Sequence, residues 1–440
     1  MVKLVSHIPS KNVISCLKRD ILIDGFHIVV DLKKSKGSYM YSAVDKKKYL
    51  DMYSYFSTLP IGHNHPKMIN KSFLKELTAA AIEKPANSDV YTEEYAHFVK
   101  TFSKFAKPPH MKHLFFISGG ALAVENALKT AFDWKIRHNF KKGSINETGT
   151  KVMHFREAFH GRSGYTLSLT NTDPVKTKHF PKFDWPRIIN PKLHFPVTKE
   201  VLEEVERVEK KAVTQISKNI RKYGNDIACL IIEPIQGEGG DNHFRKEFLQ
   251  KLESICNRHS IMFILDEIQT GFGTTGKMWA YQHFGIKPDI IAFGKKTQVC
   301  GIMASKRVDE VENNVFEKSS RINSTWGGNL VDMVRCRRYL EIMVKDKLIE
   351  NAAIVGEYFL KRLRELSEEC GQFNNVRGRG CFVAIEFPSV KERDEFRKNC
   401  WKNGLATLNS WPKSIRFRPP LNISKSEIDE AIEVMRKCLN

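Results

Sequence analysis

Ile264-Leu265-Asp266-Glu267-Ile268-Gln269-Thr270-Gly271 is a short apolar run that ends on a carboxylate. Farther along, Asp289-Ile290-Ile291-Ala292-Phe293-Gly294-Lys295-Lys296 is a second such run, ending on a lysine pair. Short apolar runs bounded by polar residues read as buried strands. Similar runs occur at His113–Ile117, Lys151–Phe155 and Ile227–Glu233, with Met262–Asp266 and Asp289–Phe293 completing the set. Longer amphipathic stretches separate them. Strand and helix signals in alternation predict an α/β fold with a mainly parallel sheet. In such a sheet, ligands bind outside the carboxyl ends of the strands. Asp266 and Lys295, 29 residues apart, are therefore candidates to face one pocket.

The C-terminal part has a different pattern. Ile354, Tyr358, Leu363 and Leu366 predict one amphipathic helix, and Ile428, Ala431, Ile432, Met435 and Leu439 predict a last one. Cys381–Phe387, Leu405–Leu408 and Ile415–Phe417 between them read as short strands. That describes a smaller α+β domain, which the strand-like pieces Ile28–Leu32 and Tyr39–Ala43 could join. The expected division is a large domain at 61–325 and a small domain formed by 1–60 and 326–440.

Composition narrows the function classes. The chain has 440 residues, 41% hydrophobic and 10% aromatic, enough to bury a large core. Lys and Arg total 71 against 50 Asp and Glu, a net charge of +21. The cations are scattered, with Lys46–Lys48 the longest run and no basic tail, which describes a solvated surface better than a specific nucleic-acid partner. The longest apolar run, Ile227–Ile232, falls far short of the about 20 residues a membrane helix needs. The first residues hold no apolar stretch of signal-peptide length, and the nine cysteines include no CxxC pair. A reduced, cytoplasmic protein is expected.

Phe115-Phe116-Ile117-Ser118-Gly119-Gly120-Ala121-Leu122 is an apolar strand running through two glycines into a helix. A helix start offers free N–H groups and a positive dipole end, which suits a phosphate. Gly271 to Lys277 fits most of a GxxxxGK nucleotide loop, but Met278 stands where that loop needs Ser or Thr to hold Mg²⁺. His63 and His65 form an HxH too weak to imply a metal, and none is expected. A phosphate turn, a carboxylate and a partly desolvated lysine at one sheet edge together meet the needs of pyridoxal 5'-phosphate.

The chain resembles the class III, fold-type I, pyridoxal-phosphate-dependent aminotransferases. The resemblance rests on Gly62-His63-Asn64-His65-Pro66, Phe159-His160-Gly161-Arg162, Glu233-Pro234-Ile235-Gln236-Gly237-Glu238-Gly239-Gly240, Asp266 to Gly271 and Thr325-Trp326-Gly327-Gly328-Asn329. Within the family the wording of these stretches is most similar to the lysine 6-aminotransferases. The resemblance implies a Schiff-base lysine at Lys295, with Lys296 as the adjacent competitor, and Asp266 on the pyridine nitrogen. It further implies Gln269 near the phenolic oxygen, Phe159 stacked on the ring with His160 beside it, and Gly120 and Ala121 on the phosphate. Thr325 would add a hydroxyl from the partner subunit, which makes the enzyme a homodimer with shared active sites.

The implied substrates are L-lysine and 2-oxoglutarate. Arg162 resembles the arginine that binds the carboxylate far from the reacting carbon, and Arg416 the one that grips the carboxylate beside it. The 6-amino end of lysine has no neighbouring carboxylate, so Arg416 needs another anion. Glu238 resembles the family's answer, pairing with Arg416 while the amine is bound and swinging away for 2-oxoglutarate. Asn323 is a further candidate for the lysine side. The alternatives are 4-aminobutyrate or ornithine aminotransferase and an amino-acid racemase of the same fold. From other classes, the rivals are a P-loop nucleotide-binding protein and a non-catalytic binder of the cofactor.

Overall fold

The structure, a computed structural model, describes residues 7–439. Its centre is a seven-stranded sheet in the order Met111–Ile117, Cys300–Ser305, Ile290–Phe293, Met262–Asp266, Ile227–Ile232, Lys151–Phe155 and Arg187–Ile188. From Ile290–Phe293 to Arg187–Ile188 every pairing is parallel. Cys300–Ser305 is the exception, antiparallel to both of its neighbours. All five expected strands are present, with ends within two residues of the reading. The antiparallel strand went unread because Cys300-Gly301 interrupts a short apolar run, and Arg187–Ile188 because two residues carry no periodicity.

Alternate residues of the sheet serve opposite faces, as the period of two requires. Phe263, Leu265, Ile291 and Phe293 pack with Phe248, Leu249 and Leu252 of helix Lys246–Arg258 and with Ala212 and Ile216 of helix Lys199–Tyr223. Met262, Ile264, Ile290, Ala292 and Ile302 pack with Val124, Ala127, Leu128 and Ala131 of helix Gly120–Lys141. The helix Lys199–Tyr223 shows why such segments are helical. Thr198 caps its start by accepting the Val201 N–H, Glu200 lies in its first turn, and Arg221 and Lys222 in its last complement the dipole.

Beyond helix Leu348–Cys370 an antiparallel sheet runs in the order Asn374–Arg379, Phe382–Glu386, Ser414–Phe417 and Leu408–Ser410. The last helix, Lys425–Leu439, buries Ile428, Ala431, Ile432, Met435 and Leu439, the predicted stripe. In Leu348–Cys370 the buried stripe is Val355, Phe359, Leu363 and Leu366, whereas Ile354 is 60% exposed and lies on the outer face. Leu405–Leu408 divides into two strands: Leu405–Ala406 pairs in parallel with Lys48–Asp51, and Leu408–Ser410 joins the four-stranded sheet. The expected strand Ile28–Leu32 is reduced to a single bridge between Val30 and Ser42. Asp31 Oδ1 accepts the N–H groups of Lys33 and Lys34 there and turns the chain.

The GxxxxGK segment is a buried packing turn. A Cβ on Gly271 would stand 2.5 Å from the Trp279 ring, and one on Gly276 2.7 Å from Ala353 Cβ. Glycine serves close approach of chains here, and no helix start faces a phosphate. His63 donates or accepts at 2.9 Å with buried Asp51, whose other oxygen holds the N–H groups of Tyr53 and Ser54. These contacts anchor Ser54–Ser57, four residues in succession with φ between 42° and 69°. Among the described residues no helix is long and apolar enough to cross a membrane.

Candidate active site

Five strands of common direction end at one cavity of about 170 Å³. Gly120 and Ala121 follow Met111–Ile117, Phe159, His160 and Gly161 follow Lys151–Phe155, and Glu233 follows Ile227–Ile232. Asp266 ends Met262–Asp266, and Lys295 follows Ile290–Phe293. Ala292 lies in register with Asp266, so the acid and the lysine reach the same edge. Ile268 and Gln269 complete the lining. Seven of the eight expected cofactor residues thus line one space, and all seven belong to this chain.

The cradle is made by close approach. Gly119 sits at φ +107° before helix Gly120–Lys141, and a Cβ on Gly120 would meet Ile268 Cδ1 at 3.2 Å. Gly161, at φ +121°, would place a Cβ 2.6 Å from Ala121 Cβ. Gly120 and Ala121, at the helix start where N–H groups have no intrahelical partner, line the cavity. On the floor His160 Nδ1 meets Asp266 Oδ2 at 2.8 Å, and Asp266 Oδ1 accepts the Ile268 N–H at 3.1 Å. Burial opposes charge on His160, but the Asp266 hydrogen bond and the charges of Asp266 and Glu233 outweigh it and raise its pKa. Glu233 accepts the N–H groups of Phe159 and Gly237 at 3.0 Å each, and burial pushes its carboxyl up to about 7.

The two adjacent lysines are separated by the backbone. Lys295 has φ +54°, an unusual conformation for a side-chain-bearing residue, and lines the cavity. Burial, then the nearby Arg416, lowers its amine to about 8 against the pull of Glu238 and Asp266. Lys296 turns away, donating to the carbonyl of Ser57 at 3.0 Å and to its hydroxyl. Its role is to tie the turn Ser54–Ser57 to the lysine loop.

At the rim Arg416 of strand Ser414–Phe417 pairs with Glu238. Glu238 also pairs with Lys176, a contact that sequence reasoning missed because a lone lysine in a loop carries no signal. Burial raises the Glu238 carboxyl, but Arg416 and Lys176 more than reverse it, to about 2. Gln269 Oε1 accepts from Arg418 at 3.1 and 3.2 Å and from Arg416 at 3.4 Å, which leaves its amide donors for another group. Arg418 is itself held by buried Asp241. Glu233 was also missed as a site residue, although a carboxylate just past a fully apolar strand was the signal that flagged Asp266.

Besides the rim pair Glu238 and Arg416, three expected residues lie apart from this lining. Arg162 follows Gly161 but is exposed, and no carboxylate pairs with it among the described residues. Thr325 is exposed, and its carbonyl accepts the Ser88 hydroxyl at 3.0 Å. Asn323 is exposed and accepts the Ser324 N–H at 2.8 Å. It borders a second cavity of about 370 Å³ with Ser88, Tyr91 and Gly327.

A phosphate-bearing aromatic aldehyde is complementary to the cavity at the strand ends. The cradle accepts the phosphate, the Asp266–His160 pair can hold a ring N–H, the Gln269 amide can donate to a phenol oxygen, and Lys295 can condense with the aldehyde.

Comparison with known proteins agrees with that chemistry. A family model described as "Aminotransferase class-III" matches residues 24–439. L-lysine-epsilon aminotransferase of Mycobacterium tuberculosis is 48% identical over 96% of this chain and 94% of its own length. The Amycolatopsis lactamdurans protein of that name is 46% identical over 98% and 96%. The solved structure of lysine aminotransferase from M. tuberculosis superposes with a TM-score of 0.96 at 47% identity, covering 98% of this chain and 99% of that one. A probable mitochondrial 4-aminobutyrate aminotransferase of Caenorhabditis elegans is 33% identical over 94% of this chain and 88% of its length. The chain belongs to the class III aminotransferases, enzymes that depend on pyridoxal phosphate.

Proposed function

We propose that the chain transfers the 6-amino group of L-lysine to 2-oxoglutarate, giving L-glutamate and 2-aminoadipate 6-semialdehyde. The observation that carries it is the Glu238–Arg416 pair at the rim. An amine donor with no carboxylate beside its reacting carbon would leave a buried guanidinium unpaired, and that is costly. Glu238 supplies the missing anion. The pair separates terminal amines from ordinary amino acids, and the identity of 48% to lysine-epsilon aminotransferases against 33% to a 4-aminobutyrate enzyme favours lysine among them.

Pyridoxal phosphate, when bound, would supply an electron sink and a carrier for the amino group. Lys295 would hold it covalently and, once displaced by the substrate amine, would move the proton at the reacting carbon, for which an amine lowered to about 8 is suited near neutral pH. Asp266, oriented by His160, would hold the ring nitrogen, and Phe159 would pack on the ring. Gly120 and Ala121 would give N–H groups to the phosphate, and Gln269 would give its amide to the phenol oxygen. Arg162, which no carboxylate pairs with among the described residues, would take the distant carboxylate of either substrate. Asn323 and Thr325 serve the neighbouring site across a homodimer. Their exposure supports this, as do the exposed apolar side chains Leu122, Val90, Tyr91 and Trp326.

The division at 61–325 against 1–60 with 326–440 belongs to the same reading and is supported by the parallel pairing of Lys48–Asp51 with Leu405–Ala406. A cytoplasmic location is supported by nine free cysteines.

An amine-donor panel of lysine, ornithine, 4-aminobutyrate and β-alanine with 2-oxoglutarate tests the substrate. Lysine is expected to give the highest kcat/KM, with nitrogen lost from carbon 6. Preference for another donor, or formation of D-lysine without glutamate, would reject the assignment.

A further inference from the structure

The rim holds one cation that the reaction above leaves without a part. Lys176 closes the short turn Pro174–Lys176, whose start is capped by Asp173 Oδ1 accepting the Val175 N–H at 3.0 Å. From there its ammonium pairs with Glu238 Oε1 and stands 5.4 Å from the centroid of the Phe159 ring. Glu238 thus divides its oxygens, Oε1 to Lys176 and Oε2 to Arg416. The cations differ in setting, since the Arg416 side chain is 4% exposed and that of Lys176 21%.

The charges balance differently in the two halves of the cycle. With the amine bound, Arg416 and Lys176 share one carboxylate. With 2-oxoglutarate bound, its carboxylate takes Arg416, and Glu238 must leave. A half-buried carboxylate released without a partner would be expensive. A lysine on a flexible four-carbon stem can keep its contact while Glu238 rotates. Two carboxylates then meet two cations. Removing Lys176 therefore costs the acceptor-bound arrangement more than the donor-bound one, where Arg416 still neutralises Glu238.

We propose that Lys176 is a specificity-determining positioning residue that holds the displaced Glu238 and so favours binding of the dicarboxylate 2-oxo acid. The proposal rests on the exchange of Glu238 for substrate at Arg416 described above.

The test follows the two half-reactions of the holoenzyme separately, in single turnover, by the absorbance of the bound cofactor. Lys176→Met is expected to weaken apparent 2-oxoglutarate affinity about fivefold while the lysine half-reaction stays within about twofold. Lys176→Arg should restore it. In the Glu238→Gln background Lys176→Met should lose its selectivity, because no anion remains to be held. Equal loss in both half-reactions overturns the proposal, and so does a loss confined to lysine, which would make Lys176 a direct contact of the donor carboxylate. Glu238→Gln alone separates the two layers. If it impairs both half-reactions equally, the exchange itself fails. If it impairs the lysine half selectively while Lys176→Met does nothing, only the part given to Lys176 fails.

Discussion

The floor of the cavity comes from the carboxyl ends of parallel strands, whereas its rim comes from a loop, a hairpin and the small antiparallel sheet. On the floor, Asp266, His160 and Glu233 are fixed by backbone N–H groups and by one another. At the rim, Lys176, Glu238 and Arg416 are held by side-chain ion pairs, and Glu238 keeps 24% of its side chain exposed. The floor carboxylates cannot swing away without leaving backbone N–H groups unpaired. Ion pairs between side chains can exchange partners at modest cost. The floor suits chemistry common to both half-reactions, and the rim suits the choice between two substrates.

The largest effect belongs to the floor. Lys295→Ala should lose the visible band of the lysine-bound cofactor, together with the permanent attachment that borohydride reduction otherwise creates as it bleaches that band, and turnover should fall by about a thousandfold or more. Lys296→Met should keep both, because its ammonium is committed to Ser57. It should instead lower the melting temperature by loosening the turn Ser54–Ser57. If Lys296→Met were the variant that lost the band, the assignment of the two lysines would be reversed.

A second experiment tests whether floor and rim are separable. Gly161→Ala adds a Cβ 2.6 Å from Ala121 Cβ, at φ +121°, and so pushes on the start of helix Gly120–Lys141. Cofactor retention in dialysis is expected to fall about tenfold, a cost of about 1.4 kcal/mol. Once corrected for occupancy, both half-reactions should fall together. A Gly161→Ala enzyme that retained cofactor but favoured one substrate would break the distinction.

Much of the floor was legible in the sequence because it follows from strand ends. Continuous apolar runs located the buried strands and made the residues just beyond them, Gly120, Asp266 and Lys295, candidates to share an edge, whereas Phe159 was reached only through the resemblance. Which of two adjacent lysines faces the cavity depends on one left-handed backbone angle, and only family spacing pointed to Lys295. The rim was legible only through resemblance, since Glu238 and Arg416 are 178 residues apart. Lys176 was invisible because its partner is set by tertiary packing alone. The helix face at Ile354 was misread because the stripe Val355, Phe359, Leu363 is shifted by one residue, which periodicity resolves poorly in an apolar stretch.

The smallest effect links the two regions through charge. With Lys295 assigned as the residue that would load the cofactor through its neutral amine, the loading rate of the apoenzyme should rise with pH, bend near 8 where the amine titrates, and level off above it. An ordinary lysine would keep gaining to about pH 10.4. Burial sets most of this shift, Arg416 adds to it, and Glu238 opposes it. Replacing Glu238 with Gln removes an anion that favours the protonated amine, so the inflection should move to lower pH while the plateau rate stays the same. The displacement should shrink as salt is added only to the extent that ions reach the rim. An inflection that moved upward, or a plateau that collapsed, would show that Glu238 supports the floor by structure and not by its charge.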